Sequence, residues 1–146
     1  MCPADSVSDE AEIRQLAQRY ASALDRNEPD KLAELFTPDA VIEGPNIRIS
    51  GLAQIRAVPG MLREMYSFTV HTVHNQTVTL AGDSAECETY STANHLTDQG
   101  DGKASNLVWS IRYQDQLRRT NGRWRFARRL LIIDWSETRT VAIARN

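Results

Sequence analysis

What this chain has little of narrows the field first. It holds two cysteines, Cys2 and Cys87, too few for a disulfide framework or a cysteine-rich metal site. Lysine is scarce: 15 arginines and 2 lysines carry the positive charge, and the net charge of −2 gives no global pull toward nucleic acid or an anionic membrane. No apolar run approaches the ~18 residues needed to span a bilayer. The opening Met1-Cys2-Pro3-Ala4-Asp5-Ser6-Val7-Ser8-Asp9-Glu10 is acidic and lacks an apolar core, so it does not read as a secretory signal. Missing too are the Gly-x-Ser-x-Gly elbow, the Walker-type loop and the dinucleotide-binding glycine fingerprint. The expectation is a cytoplasmic, reduced protein that works without metal or cofactor and has neither nucleic acid nor membrane as a partner.

What is present suits a single domain over 1–146, with its core at about 10–136. A chain of this length buries roughly two-thirds of its unfolded surface. Ser8 is a plausible N-cap for a helix over 8–26, and Asp9, Glu10 and Glu12 favour its positive end. Ile13, Leu16, Ala17, Tyr20 and Leu24 then form one apolar stripe. A second helix is expected from Asn27–Pro29 through Leu32, Leu35 and Phe36, stopped by Thr37-Pro38-Asp39. Short strands at 40–43 and 47–49 flank Gly44-Pro45-Asn46, and a third helix over 51–66 is expected to break or kink at Pro59-Gly60. From Ser67 onward the texture is long strands: 67–80, 84–96, 104–119 and 123–136, with a polar loop at 97–103 and an Asn121-Gly122 hairpin. Helices first and an antiparallel meander after them predict α+β, a curved sheet with helices on its concave face. Such a layering leaves a pocket between its two faces. Seven arginines fall between Arg112 and Arg129; they read as outward strand positions rather than a phosphate-binding face, since no RNA-binding signature accompanies them.

Two residues stand in settings that suit proton transfer. Asp25 sits where the first helix gives way to the second, and His71 sits on the first long strand. A carboxylate at a helix C-terminus opposes the macrodipole at a cost of roughly 0.3–1 kcal/mol. Its compensation could come from His⁺, from Arg26 or from solvent, and a capping role at the second helix is a further alternative. An imidazole oriented by a carboxylate moves protons near neutral pH. His71 and His74 are three apart on a strand, so they should face opposite sides and cannot share a metal unless a bulge intervenes. Alternation does not say which faces inward. His95 continues the small-residue series Ala85, Cys87, Thr89, Ser91, Ala93, a face that a helix or ligand can approach closely; taken alone it reads as a buried, hydrogen-bonded histidine.

The order of elements, the Asp25 setting and His71-x-x-x-Asn75 resemble the SnoaL-like branch of the nuclear transport factor 2-like superfamily, the cystatin-like cone-shaped α+β barrels. Within it the chain is similar to the scytalone dehydratase and hexachlorocyclohexane dehydrochlorinase group. That resemblance implies a catalytic aspartate at Asp25 and a catalytic histidine at His71, and it places the dehydrochlorinase's pocket arginine on Arg129, after Gly122-x-Trp124. Arg112-Tyr113-x-Asp115 and Asp134-Trp135 also look typical of the branch. There are departures. Leu24 stands where the fungal dehydratase has a tyrosine, Val41-Ile42-Glu43 offers no second water-holding tyrosine, and His95 is the only counterpart of its second histidine. Scytalone itself is therefore not the expected substrate.

Together these imply a cofactor-independent lyase, a dehydratase or another β-eliminating enzyme, acting on a small hydrophobic, cyclic or aromatic substrate. His71 would be the base and Asp25 its orienting partner. Arg129 or His95 would assist the leaving group, with Tyr20, Leu24 and Tyr66 lining the pocket. A polyketide cyclase or isomerase would use the same proton chemistry. The rival is a non-catalytic binding module, like a dioxygenase small subunit, working through an outer sheet face that carries Trp109, Trp124, Phe126 and Trp135. A homo-oligomer, trimer or dimer, is expected through that face.

Overall fold

Helix α1 (Pro3–Asp25) starts ahead of Ser8, because no glycine or proline interrupts residues 4–8. The computed structural model describes residues 2–145, so the two ends of the expected 1–146 domain lie outside the described residues. The apolar stripe lands as its spacing requires: Ile13, Leu16, Ala17, Tyr20 and Leu24 are all buried. Asp9, expected to serve the helix dipole, instead turns inward and accepts bonds from Trp124 Nε1 (2.9 Å) and Arg119 Nη1 (2.9 Å). Asn27, in the left-handed region (φ 54°), ends the helix. The Glu28 N–H then reaches the Ala23 carbonyl at 2.9 Å and the Asn27 N–H the Leu24 carbonyl at 3.3 Å, the paired bonds of a Schellman cap.

The second helix is shorter than expected. Helix α2 spans Pro29–Ala33, and Phe36 opens a strand, β1 (Phe36–Gly44), rather than closing the helix. Thr37 precedes Pro38 and so is driven to extended backbone. The Phe36 ring also gains Phe126 as a neighbour at 5.2 Å. A tight turn at Pro45-Asn46 returns the chain as β2 (Ile47–Ser50). Helix α3 (Gly51–Met65) runs through Pro59 without interruption, contrary to the expected break.

Four long strands follow: β3 (Phe68–Ala81), β4 (Ser84–Gly100), β5 (Lys103–Thr120) and β6 (Arg123–Ala142). The loop expected at 97–103 is strand up to Asp101-Gly102, whose positive φ values of 54° and 70° make a two-residue hairpin turn. Asn121-Gly122 turns the next hairpin in the same way. The six-stranded sheet has the order β2-β1-β6-β5-β4-β3; it curves without closing, and the helices cover one face. Its ladders are antiparallel except β1–β6, which is parallel.

Bulges decide which side chains face inward. In β3 the register slips between Val73 and Gln76, so Thr69, His71 and Val73 face the helices before it, and Gln76, Val78 and Leu80 after it. In β6 the register slips opposite Gln116/Leu117 and again opposite Ser110/Ile111. Trp124 and Phe126, ahead of the first slip, face the core at 1% exposure each; that slip turns Arg129, Leu131 and Ile133 inward, and the second leaves Trp135 outward at 56%. The outer aromatic face of the rival reading thus loses three of its four members, since Trp109 packs against His95 at 4.6 Å between ring centroids.

Candidate active site

Asp25 is the last residue of α1, and the Schellman turn behind it fixes where its side chain emerges. Three donors converge on its carboxylate: His71 Nδ1 at 2.6 Å and Thr69 Oγ1 at 2.8 Å on Oδ1, and the His71 backbone N–H at 2.8 Å on Oδ2. Burial alone would raise this carboxyl. The ring and backbone of His71, the attraction of its charge when protonated and the Thr69 hydroxyl outweigh burial and hold the pKa below the ordinary aspartate value. The helix end finds its compensation elsewhere, from Arg63 of α3, whose Nη2 donates to the Asp25 backbone carbonyl at 2.9 Å. Sequence reading missed both Thr69 and Arg63. Thr69-x-His71 on one face of a strand was the available signal for the first; nothing local points to the second.

A carboxylate can only accept, so the bond at 2.6 Å places the neutral imidazole's hydrogen on Nδ1 and leaves Nε2 as the basic nitrogen. The His71 side chain is nearly buried, and Ala93 directly across the ladder leaves it room. His74 faces the other side and bonds Thr92 Oγ1 at 2.7 Å, so the bulge between Val73 and Gln76 does not bring the two histidines together. Among the described residues, no group of three or more His, Cys, Asp or Glu side chains is placed to hold a metal ion.

His71 lines a cavity of about 400 Å³ between the helices and the sheet. Tyr20, Leu24, Tyr66 and His95, all expected at the pocket, line it too. The sequence reading did not pick out Trp109 for this wall, nor Ile42, Leu62, Leu131 or Ile133. His95 sits between the Tyr66 ring at 4.7 Å and Trp109, with the His71 ring perpendicular to it at 6.0 Å. Its Nδ1–H donates to the Leu107 carbonyl at 2.9 Å. Burial lowers its pKa, in part against that bond, so at neutral pH His95 is an uncharged ring whose Nε2 accepts. Of the two expected assistants, His95 is therefore at the cavity but is not a proton donor at neutral pH.

Arg129 is the other, and it does not line this cavity. It is 1% exposed, bonded to Asp115 through Nε (2.9 Å) and Nη2 (3.2 Å), and stacked on the rings of Tyr113 (3.8 Å), Tyr20 (4.2 Å) and Phe126 (4.4 Å). The inward slip of β6 places it behind Tyr20 and Tyr113, whose rings separate it from the main space. It borders a separate small void of about 10 Å³ that His71, Thr89 and Ser91 also line. The other branch-typical residues pair off as well: Arg112 holds Asp134 through two bonds of 2.7 Å on the outer face. Arg118, Arg119 and Arg128 likewise meet Asp39, Asp9 with Asp83, and Glu43, which accounts for most of the arginine cluster without a phosphate.

No helix among the described residues is long and apolar enough to cross a membrane. An uncharacterized protein of Mycobacterium tuberculosis is 31% identical over 126 residues, covering 85% of this chain and 84% of its own. Among solved structures, a Mycobacterium tuberculosis protein of unknown function is 27% identical with a TM-score of 0.79, covering 92% of this chain and 77% of that one. The hexachlorocyclohexane dehydrochlorinase LinA-type3 of Novosphingobium barchaimii has a TM-score of 0.84 over 94% of both chains at 14% identity, a likeness of fold. The SnoaL-like domain matches residues 5–130, the span that carries Asp25, His71 and all of the cavity's lining except Leu131 and Ile133, and the chain belongs to that family.

Proposed function

We propose that this protein is a cofactor-independent lyase that removes a proton from carbon and expels a β-substituent from a small cyclic or aromatic substrate. The observation that carries the reading is the 2.6 Å contact between Asp25 Oδ1 and His71 Nδ1 beside an apolar cavity. His71 Nε2 takes the C–H proton; the electron pair forms the new C=C bond as the bond to the β-substituent breaks. Asp25 fixes the tautomer and stabilises the imidazolium that forms. The imidazolium can then return its proton to a departing hydroxyl. Tyr20, Leu24 and Tyr66 hold the ring of the substrate, and His95 accepts a hydrogen bond from it. The dehydrochlorinase of like fold supports elimination over the cyclase or isomerase alternative.

The test is a screen of β-hydroxy and halogenated cyclic compounds with product identification, repeated on His71→Ala and Asp25→Asn. General acid–base catalysis contributes ~10²–10⁴-fold, so each substitution should lower kcat by at least about 10²-fold. Acting as one unit, the two together should be scarcely worse than the poorer single variant. Turnover that survives His71→Ala sinks the proposal. Ligand binding without turnover favours the binding-module reading, and turnover without a leaving group favours the isomerase. The homo-oligomer, trimer or dimer, belongs to the same reading: Val70, Tyr90 and Trp135 are exposed apolar side chains on the strands. Light scattering at micromolar concentration should report more than a monomer, and Trp135→Glu should weaken the assembly.

A further inference from the structure

The cavity differs in character between its wall and its mouth, and the difference specifies a ligand. None of the residues lining it is Asp, Glu, Lys or Arg. The one arginine nearby has its charge paired by Asp115 through Nε and Nη2 and is shut off behind Tyr20 and Tyr113. A ligand anion would enter without a counter-charge and would meet the Asp25 carboxylate beside His71, which disfavours it strongly. Both histidines on the wall have their Nδ1 hydrogens engaged, one by Asp25 and the other by the Leu107 carbonyl. Each ring therefore offers an acceptor. His71 Nε2 serves the proton transfer, and His95 Nε2 calls for a donor on the ligand, which for an uncharged ring compound is a hydroxyl.

The mouth is apolar and exposed. Ile47 on β2, and Met61 and Met65 on α3, line the same cavity yet are 43%, 42% and 61% exposed. They are three of the seven large apolar side chains with such exposure among the described residues, and they gather at one opening between the β1–β2 turn and the C-terminal half of α3. Methionine side chains adapt to variable apolar partners. A ligand whose ring fills the wall region and whose tail passes out here would cover all three.

We infer that the site takes an uncharged hydroxylated ring compound bearing an apolar tail, the hydroxyl bound by His95 and the tail leaving between Ile47, Met61 and Met65. The inference rests on the reading of this cavity as the substrate site, and it is tested by binding alone. The full-length protein is titrated with 4-alkylphenols of increasing chain length and with the matching 4-alkylbenzoates, followed by quenching of tryptophan fluorescence, Trp109 being on the wall. Each added methylene should tighten binding about threefold to fourfold until the tail clears the rim, and then the gain should stop. The benzoates should bind at least about tenfold more weakly than the phenols, having no counter-charge. His95→Phe should narrow the preference for phenols over the matching alkylbenzenes by about twofold to tenfold, the worth of one net hydrogen bond. The double substitution Met61→Ser, Met65→Ser should flatten the dependence on chain length. Benzoates that bind as well as phenols, or affinities independent of chain length, would overturn the inference; should a variant fail to fold, the wild-type titrations decide by themselves. If the wild type binds in the expected order yet no related compound is ever turned over, the ligand class stands and the lyase falls. Turnover confined to short or anionic substrates gives the opposite result.

Discussion

Replacing Asp115 by alanine should be among the most damaging single changes available to this chain. The Arg129–Asp115 pair is buried to 1% side-chain exposure on both sides, and the guanidinium is packed against three aromatic rings. Removing the carboxylate strands a positive charge that has no route to solvent. Breaking a buried pair in this way costs about 3–5 kcal/mol, far more than the net worth of the pair, because the desolvated partner is left behind. For a domain of this length about 2–4 °C of melting temperature accompanies each kcal/mol, so the midpoint should fall by roughly 6–20 °C. Urea denaturation followed by circular dichroism measures the loss directly. A companion variant, Asp115→Leu with Arg129→Met, keeps most of the volume and removes both charges. It should lie closer to wild type than Asp115→Ala does, even though it gives up the stacking on Tyr20, Tyr113 and Phe126. A loss under about 1 kcal/mol for Asp115→Ala, or a double variant worse than the single, would show that the charge is relieved by some other route and that Arg129 is not held as described.

The remaining expectations concern protons. Nitrogen NMR should find Nδ1 protonated and Nε2 bare on neutral His71 and on His95 alike, and the opposite tautomer on either ring would refute the hydrogen-bond assignments to Asp25 and Leu107. Both His95 and Asp25 have pKa values below their ordinary ones of 6.5 and 3.8, so in each case the unfolded chain binds more protons than the folded one just below the ordinary value. Stability should therefore fall as pH drops below about 6.5 toward the folded value of His95, and fall again below 3.8 as Asp25 is protonated. The first decline should vanish in His95→Gln; if it persists there, burial of His95 is not its source.

How far this was legible beforehand differs from one element to the next. The helical stripe from Ile13 to Leu24 and the small-residue face from Ala85 to Ala93 were both readable, because periodicity survives wherever a strand or helix is unbroken. The Asp25–His71 pairing rested on resemblance, since nothing in spacing alone joins a helix end to a strand. Parity failed in β6. Alternation carried on from Trp124 and Phe126 puts Arg129, Leu131 and Ile133 on the outer face. A slip between Phe126 and Arg128 turns them inward, and a second slip between Ile133 and Trp135 restores the original phase. The first slip carries Arg129 inward, where it forms a buried ion pair with Asp115 instead of lining the cavity. Its partner Asp115 was noted in the sequence as part of a pattern; strict pairing across the Asn121-Gly122 hairpin would set Asp115 opposite Arg128, and only the slip brings Arg129 there. Asp101-Gly102 did leave one; the hairpin it makes was overlooked because Gln99 and Gly100 lengthen the polar stretch around it.

The backbone bond to Asp25 leads to a last prediction. Strand β3 is an edge of the sheet, so the N–H groups on its free side have no neighbouring strand to receive them. The His71 N–H is one of these, and Asp25 Oδ2 accepts it. The carboxylate is thus held by the fold as well as by the imidazole: with the ring deleted it would still have the His71 N–H and the Thr69 hydroxyl. Deleting the carboxylate instead leaves three donors with no acceptor at a half-buried position. Asp25→Ala should therefore cost about 2–4 kcal/mol and His71→Ala only about 1 kcal/mol, each read from chemical denaturation. His71→Ala would then be a folded protein in which the carboxylate is still in place and the base is missing, the cleanest background for testing the chemistry. A His71→Ala loss as large as that of Asp25→Ala would mean that the imidazole, not the strand edge, is what holds Asp25 where it is.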